Sequence, residues 1–154
     1  METVVDTTST FQTKLDELLQ VGFLTGSRAF GTNAERSDFD VVYLITDTGK
    51  IDDILTGYDR TPSCYFSGYY VKIDDGVVNL IPVHPCEYLP WYLATVAMTS
   101  TLKLSGINDT IKRHAVFMGM VSLFKATVEQ ILPNKYNELK KKIGQHHENN
   151  KRNN

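Results

Sequence analysis

The residues best equipped for chemistry cluster between positions 26 and 42, in the run Gly26-Ser27-Arg28-Ala29-Phe30-Gly31-Thr32-Asn33-Ala34-Glu35-Arg36-Ser37-Asp38-Phe39-Asp40-Val41-Val42. Ten residues separate Gly26-Ser27 from Asp38-Phe39-Asp40. Side chains alternate along a strand, so Asp38 and Asp40 point to one face. Two close carboxylates repel each other. Either one keeps its proton to a raised pKa, or a cation neutralises both. Mg²⁺ prefers oxygen ligands and leaves its other positions to water or substrate phosphate. An Asp-x-Asp pair at a strand end therefore suits a metal–nucleotide site.

The Gly-Ser pair suits the other half of such a site. Gly26 permits a positive φ or a close backbone approach. The Ser27 hydroxyl and successive backbone N–H groups can hold phosphate oxygens. Arg28 and Arg36 add positive charge, and Ser37 is taken with them as a nucleotide contact. The same residues have plainer readings, since Gly-Ser is often just a turn and Asp-x-Asp a solvated strand end.

These residues need a scaffold, and the pattern around them is mixed. After Thr7-Thr8-Ser9-Thr10, Phe11, Leu15, Leu18 and Leu19 recur at helical spacing until Gly22. Phe23-Leu24-Thr25 reads as a short strand. Phe39 to Ile45 is apolar on both sides and reads as a central strand. The pattern predicts a short helix over Ile51 to Tyr58 and strands over Tyr65 to Ile73 and Val77 to Val83. Asp74-Asp75-Gly76 between them is a hairpin signal. Pro82 and Pro85 are expected to close the second strand. Helices are predicted from Tyr88 to Lys103, from an Asn108 cap and Asp109 to Leu132, and after Pro133, where Tyr136, Leu139 and Ile143 recur. The second of these is apolar on more than one stripe, which predicts burial on several sides. The expected fold class is α+β: a small mixed sheet flanked by helices, with a C-terminal helical part. One domain is expected over 1–144, with the sheet core about 11–85 and helices about 87–144, then a polar, disordered tail over 145–154.

With Gly-Ser, ten residues and Asp-x-Asp opening an apolar strand, the chain resembles the polymerase-beta-like nucleotidyltransferase superfamily. It is most similar to the small single-domain members, some of them encoded by bacteriophages. The resemblance implies transfer of a nucleoside monophosphate from a nucleoside triphosphate to a hydroxyl on RNA, a protein or a small molecule. It implies Mg²⁺ or Mn²⁺, with Asp38 and Asp40 as metal ligands and Ser27 as the triphosphate contact. Two divalent ions serve such catalysis. Members usually carry a third carboxylate on a neighbouring strand. Here that strand reads Val77-Val78-Asn79-Leu80-Ile81, so Asn79 occupies the third catalytic position. An amide can ligate through oxygen but has no charge. Either the enzyme works with Asn79, or with Asp74 or Asp75 reaching in, or catalysis is impaired and binding remains. A phage-type protein of the second kind would bind nucleotide, nucleic acid or a host protein.

Other signals are weaker. Tyr65, Phe66, Tyr69, Tyr70, Trp91 and Tyr92 could stack on a base or simply pack. His84 ends the Asn79 strand and is a possible base or phosphate contact; His114 reads as a helix-surface or core-edge residue. Lys140, Lys141, Lys142, Lys151 and Arg152 outnumber Glu138 and Glu148 near the end, as in a basic tail or a solvated helix end.

Composition sets the outer bounds. The chain has 154 residues, 42% hydrophobic and 22% charged, which suits one globular core. Its formal net charge of -2 excludes a broad DNA-coating basic surface. No apolar run is long enough for a membrane span. The N-terminal residues do not read as a signal peptide, and Cys64 and Cys86 are expected as free thiols. The expectation is a cytoplasmic protein, in the host cytoplasm if phage-encoded.

Overall fold

A computed structural model describes residues 10–63, 68–105 and 109–131, together with Glu138 and Lys141. Helix α1 (Thr10–Val21) buries Leu15 and Leu18 on one stripe. Strand β1 (Phe23–Thr25) follows, then the single-turn helix α2 (Gly26–Phe30) and β2 (Phe39–Leu44). A short 3₁₀ turn leads into α3 (Thr48–Ile54). Three strands come next: β3 (Arg60–Pro62), β4 (Tyr69–Ile73) and β5 (Gly76–Val83). The helices α4 (Pro85–Ser105) and α5 (Thr110–Ile131) close the described chain.

The five strands form one mixed sheet in the order β1-β2-β5-β4-β3. The central pair, β2 and β5, is parallel; the other pairs are antiparallel. Strand alternation gives each face its own core. Val41, Tyr43, Val71, Ile73, Val78 and Leu80 pack against Leu15, Leu18, Ile51 and Leu55 of the α1–α3 side. Val42, Ile81 and Val83 pack against Trp91, Ala94, Met98, Phe117 and Val121 of α4 and α5. Helices on both faces explain why β2 is an unbroken apolar run after Asp40. No helix among the described residues is long and apolar enough to cross a membrane.

Several expectations shift. The α5 helix is not buried on several sides. Among its described side chains Phe117 and Val121 are the buried ones, while Ile111 is 81% and Leu123 64% exposed. It packs on α4 at the margin of the core, so its outer apolar residues find no cover among the described elements. The short edge strand β3 adds to the expected elements; Pro62 within it is tolerated because an edge has ladder positions that need no N–H. Pro82 lies inside β5 opposite Tyr43, and Pro85 opens α4, where the first helical turn needs no donor. α3 lies earlier than Ile51 to Tyr58 because Gly57, at φ 88, breaks the chain out of helix. Asp109 caps α5, its Oδ1 accepting the N–H groups of Ile111 and Lys112 at 2.8 and 3.2 Å. The start of the Tyr65 strand, Cys64, Asn108, most of the helix after Pro133 and the tail lie outside the described residues; Glu138 and Lys141 are helical and exposed. Cys86 is buried and forms no disulfide.

The hairpin forms, but its geometry differs from the Asp-Gly expectation. Gly76 pairs with Ile73, so Asp74 and Asp75 make the turn, and Asp74 takes the positive φ of 52°. Gly76 is needed for another reason: a Cβ there would lie 2.3 Å from Cε2 of Phe11. The Phe11 ring is also packed on Phe39, at a centroid distance of 5.1 Å. Gly76→Ala should therefore push Phe11 off the sheet and destabilise the fold by about 1–3 kcal/mol. Denaturant midpoints check this, and Phe11→Leu in the same chain should recover part of the loss.

Candidate functional site

Strand register brings the site together. Thr25, Asp40, Asn79 and Tyr70 stand side by side across β1, β2, β5 and β4. Directly opposed residues share a face, and this is the face of Val42 and Ile81, toward α4 and α5. Residues 39 positions apart in sequence thus meet: Asn79 Nδ2 donates to Asp40 Oδ1 at 3.2 Å. Asp38, two residues before Asp40, faces the same way.

These residues border a cavity of about 650 Å³. Gly26, Ser27, Arg36, Ser37, Asp38, Asp40, Asn79 and Tyr70 line its sheet side. Phe30, Trp91, Ile111, Arg113, His114 and Phe117 line the helical side. Among the described residues Asp38 and Asp40 are its carboxylates, and no three His, Cys, Asp or Glu side chains are grouped to hold a metal ion.

Asp40 is the electrostatic centre. Burial pushes its carboxyl up from 3.8 to about 6; the Asn79 hydrogen bond opposes the rise and the Asp38 charge adds to it. Asn79 is 5% exposed. Its amide nitrogen serves Asp40, while its buried Oδ1 has no hydrogen-bond partner. An unpaired buried carbonyl oxygen beside two carboxylates is an oxygen donor set, and it fits a hard divalent cation. Asp38 and Asp40 are the residues that would hold it, and Asn79 would join them with its amide turned over, Oδ1 in place of Nδ2 toward Asp40.

The two ends of the motif touch. Gly26 has φ 72, and a Cβ built on it would lie 2.1 Å from Asp40 Oδ2. Glycine is required there twice, for its backbone angle and for the room it leaves the carboxylate. Ser27 follows on the cavity wall. Its carbonyl accepts N–H groups from Gly31 and from Thr32, the latter at 3.0 Å, which holds α2 closed. From behind, α4 anchors β1. The Thr95 hydroxyl donates to the Trp91 carbonyl at 2.8 Å, so across the 2.9 Å contact with Thr25 it is Thr25 that donates.

Other candidates are placed differently. Arg28 does not line the cavity. Its guanidinium bonds the carbonyls of Glu35 (2.8 Å) and Ser37 (2.9 Å) and lies 4.2 Å over the Phe39 ring. The expected nucleotide contact is thus a clamp on the loop. Ser37 lines the cavity, but its hydroxyl accepts the Ala34 N–H at 2.9 Å. Arg36 is exposed at the rim. His84 lies five residues beyond Asn79, about 16 Å along a strand, and is not on the wall. Nor are Asp74 and Asp75; Asp75 borders a separate cleft beside Arg28 and Glu35. Of the aromatic group, Tyr70 and Trp91 reach the cavity. Tyr92 instead packs edge-on against Phe23 at 5.4 Å, Tyr69 faces the α1–α3 side, and Tyr65 and Phe66 lie outside the described residues. Sequence reasoning missed Phe30, Arg113 and Phe117, and did not bring His114 to the site.

In comparisons with known proteins, no family model, no curated protein and no solved structure matches this chain.

The raised Asp40 pKa has a consequence for stability. The folded state binds this proton more tightly than the unfolded chain does. The contribution is complete below about pH 4 and is lost as pH rises through about 6, to a total of about 3 kcal/mol. Without metal, the melting temperature should fall between about pH 4 and pH 6 on this account. Asp40→Asn should flatten that dependence and melt higher than the parent at pH 7, as read by calorimetry across the range.

Proposed function

We propose that this chain is a small nucleotidyltransferase-like protein, transferring a nucleoside monophosphate from a nucleoside triphosphate to a hydroxyl acceptor. The observation that carries this reading is the contact between Gly26 and the Asp40 carboxylate, with Ser27, Asp38 and Asn79 on the same cavity. The antiparallel pairing of β1 and β2 sets Thr25 opposite Asp40 and so brings the turn beside the carboxylates. What supports a functional reading is that the residue types meeting there suit a metal–nucleotide. Asp38, Asp40 and the Asn79 carbonyl would bind Mg²⁺ or Mn²⁺. When bound, the cation neutralises the carboxylates, activates the attacking hydroxyl and steadies the departing pyrophosphate. Ser27 donates its hydroxyl to a phosphate oxygen. Arg36 adds charge at the rim. Tyr70 and Trp91 bound the space where a base or an acceptor lies. The protein's part is orientation and charge compensation. The reading carries a cytoplasmic setting and an acceptor on RNA, a protein or a small molecule.

A second reading is favoured by the uncharged Asn79 opposite Asp40, where no third carboxylate lines the cavity among the described residues. On it the chain binds nucleotide, nucleic acid or, if phage-encoded, a host protein, and no longer transfers. Incubation with each labelled triphosphate, Mn²⁺ or Mg²⁺ and a cell extract separates the two. Transferred label supports the enzyme, and saturable binding without transfer supports the binder. Ser27→Ala should weaken triphosphate binding by about 1–2 kcal/mol in calorimetric titration. An unchanged affinity removes Ser27 from the site.

Asn79→Asp tests the third position. A carboxylate directly across from Asp40 adds repulsion, so the metal-free variant should melt below the parent at neutral pH and recover on acidification. Mn²⁺ should then raise its melting temperature more than the parent's. Equal response to Mn²⁺ in both proteins would exclude Asn79 as a ligand position.

A further inference from the structure

Among the described residues the buried polar side chains are Thr25, Asn79 and Thr95. Asn79 serves Asp40. The other two serve each other, 70 positions apart in sequence. They meet on the sheet face whose core is Val42, Ile81, Trp91, Ala94 and Met98. A pair of valines would fill the same shape there with little or no loss of stability. Packing therefore does not account for the hydroxyls. What a hydroxyl pair adds is a fixed distance and direction.

Local helix structure does not account for them either. Thr25 is the N-cap residue of α2, where a threonine hydroxyl ordinarily accepts an N–H of the first turn. Here it makes no cap bond and goes to Thr95 instead. Helix α4 holds a second point one turn on. The Thr99 hydroxyl donates to the Thr95 carbonyl at 2.9 Å and lies 3.5 Å from the Ala29 carbonyl of α2. Thr25 and Ala29 bracket the turn that carries Gly26 and Ser27. Thr95 and Thr99, a turn apart on one face of α4, therefore hold both ends of it.

We propose that Thr95, supported by Thr99, is a positioning residue: through Thr25 it fixes the Gly-Ser turn against the sheet, so that the Ser27 hydroxyl is already oriented for its ligand. This rests on the nucleotide reading and deepens it, by assigning the orientation of Ser27 to α4. An orientation set in advance need not be paid for when the ligand arrives, so its loss shows as weaker binding.

The probe is inorganic tripolyphosphate with Mn²⁺, titrated into the full chain by calorimetry. Thr95→Val keeps the shape and removes the hydroxyl; it should bind the probe about five- to tenfold more weakly, near the loss from Ser27→Ala. Thr95→Ser restores the hydroxyl and should recover most of that affinity, even though the missing methyl lowers its melting temperature. Affinity then follows the hydroxyl and not stability. Ser27→Ala made in the Thr95→Val chain should cost only about twofold or less, because the two losses share one cause. Losses that multiply overturn the proposal, as does an unchanged affinity in Thr95→Val. Should Thr95→Val strand the Thr25 hydroxyl and fail to fold, Thr25→Val combined with Thr95→Val removes both hydroxyls together and carries the same test. Ser27→Ala distinguishes the two levels. If it binds the probe as tightly as the parent does, the reading of the Gly-Ser turn as a phosphate contact fails. If it binds weakly while Thr95→Val is unaffected, only the role of α4 fails.

Discussion

The structure around the cavity depends on keeping one carboxylate, Asp40, partly out of water. Burial alone drives it toward its neutral form, and each neighbour bears on that balance. Asn79 donates to it from β5. Gly26 leaves it space at the start of α2. Asp38 opposes its ionisation. A site in this state favours any ligand that brings positive charge, and the spare oxygen of Asn79 points to the same need.

The sheet turns two unlike faces outward from this point. Toward α1 and α3 it presents an apolar layer. Toward α4 and α5 the apolar contacts begin only at Val42 and Ile81, two residues beyond Asp40 and Asn79. The cavity occupies the place where the helices have not yet closed on the sheet. Thr95 maintains that arrangement from α4 by receiving the Thr25 proton, tying the strand before Gly26 to the helix that carries Trp91.

Much of this was legible in the sequence, where local chemistry and periodicity agree. The apolar run from Val41 to Leu44, the alternation through Val77 to Val83 and the caps and stops near Gly22 are local signals, and the α+β class follows from their order. That Asp38 and Asp40 share a face follows from strand period alone. What remained hidden depends on tertiary partners. The Phe11 ring is what requires Gly76, and nothing near position 76 announces it. Arg28 looks like an anion contact until the Glu35 and Ser37 carbonyls are seen within its reach. Apolar residues around α5 predict burial, but a helix packed at the margin of a core leaves some of them in water. Arg113 and His114 were hard to find because a charged first turn reads as surface until a wall is placed opposite.

The Arg28 clamp also bears on how this stretch of chain can vary. One guanidinium grips the carbonyls of Glu35 and Ser37 and lies on Phe39, so the loop between the Gly-Ser turn and the carboxylates is a strut and not a slack tether. Its side chains at Asn33, Ala34 and Glu35 are exposed and open to substitution. Its length is not open in the same way. Adding or removing a residue would shift the Glu35 and Ser37 carbonyls past the guanidinium and break the clamp. Insertions and deletions in this spacer should therefore be far rarer than replacements.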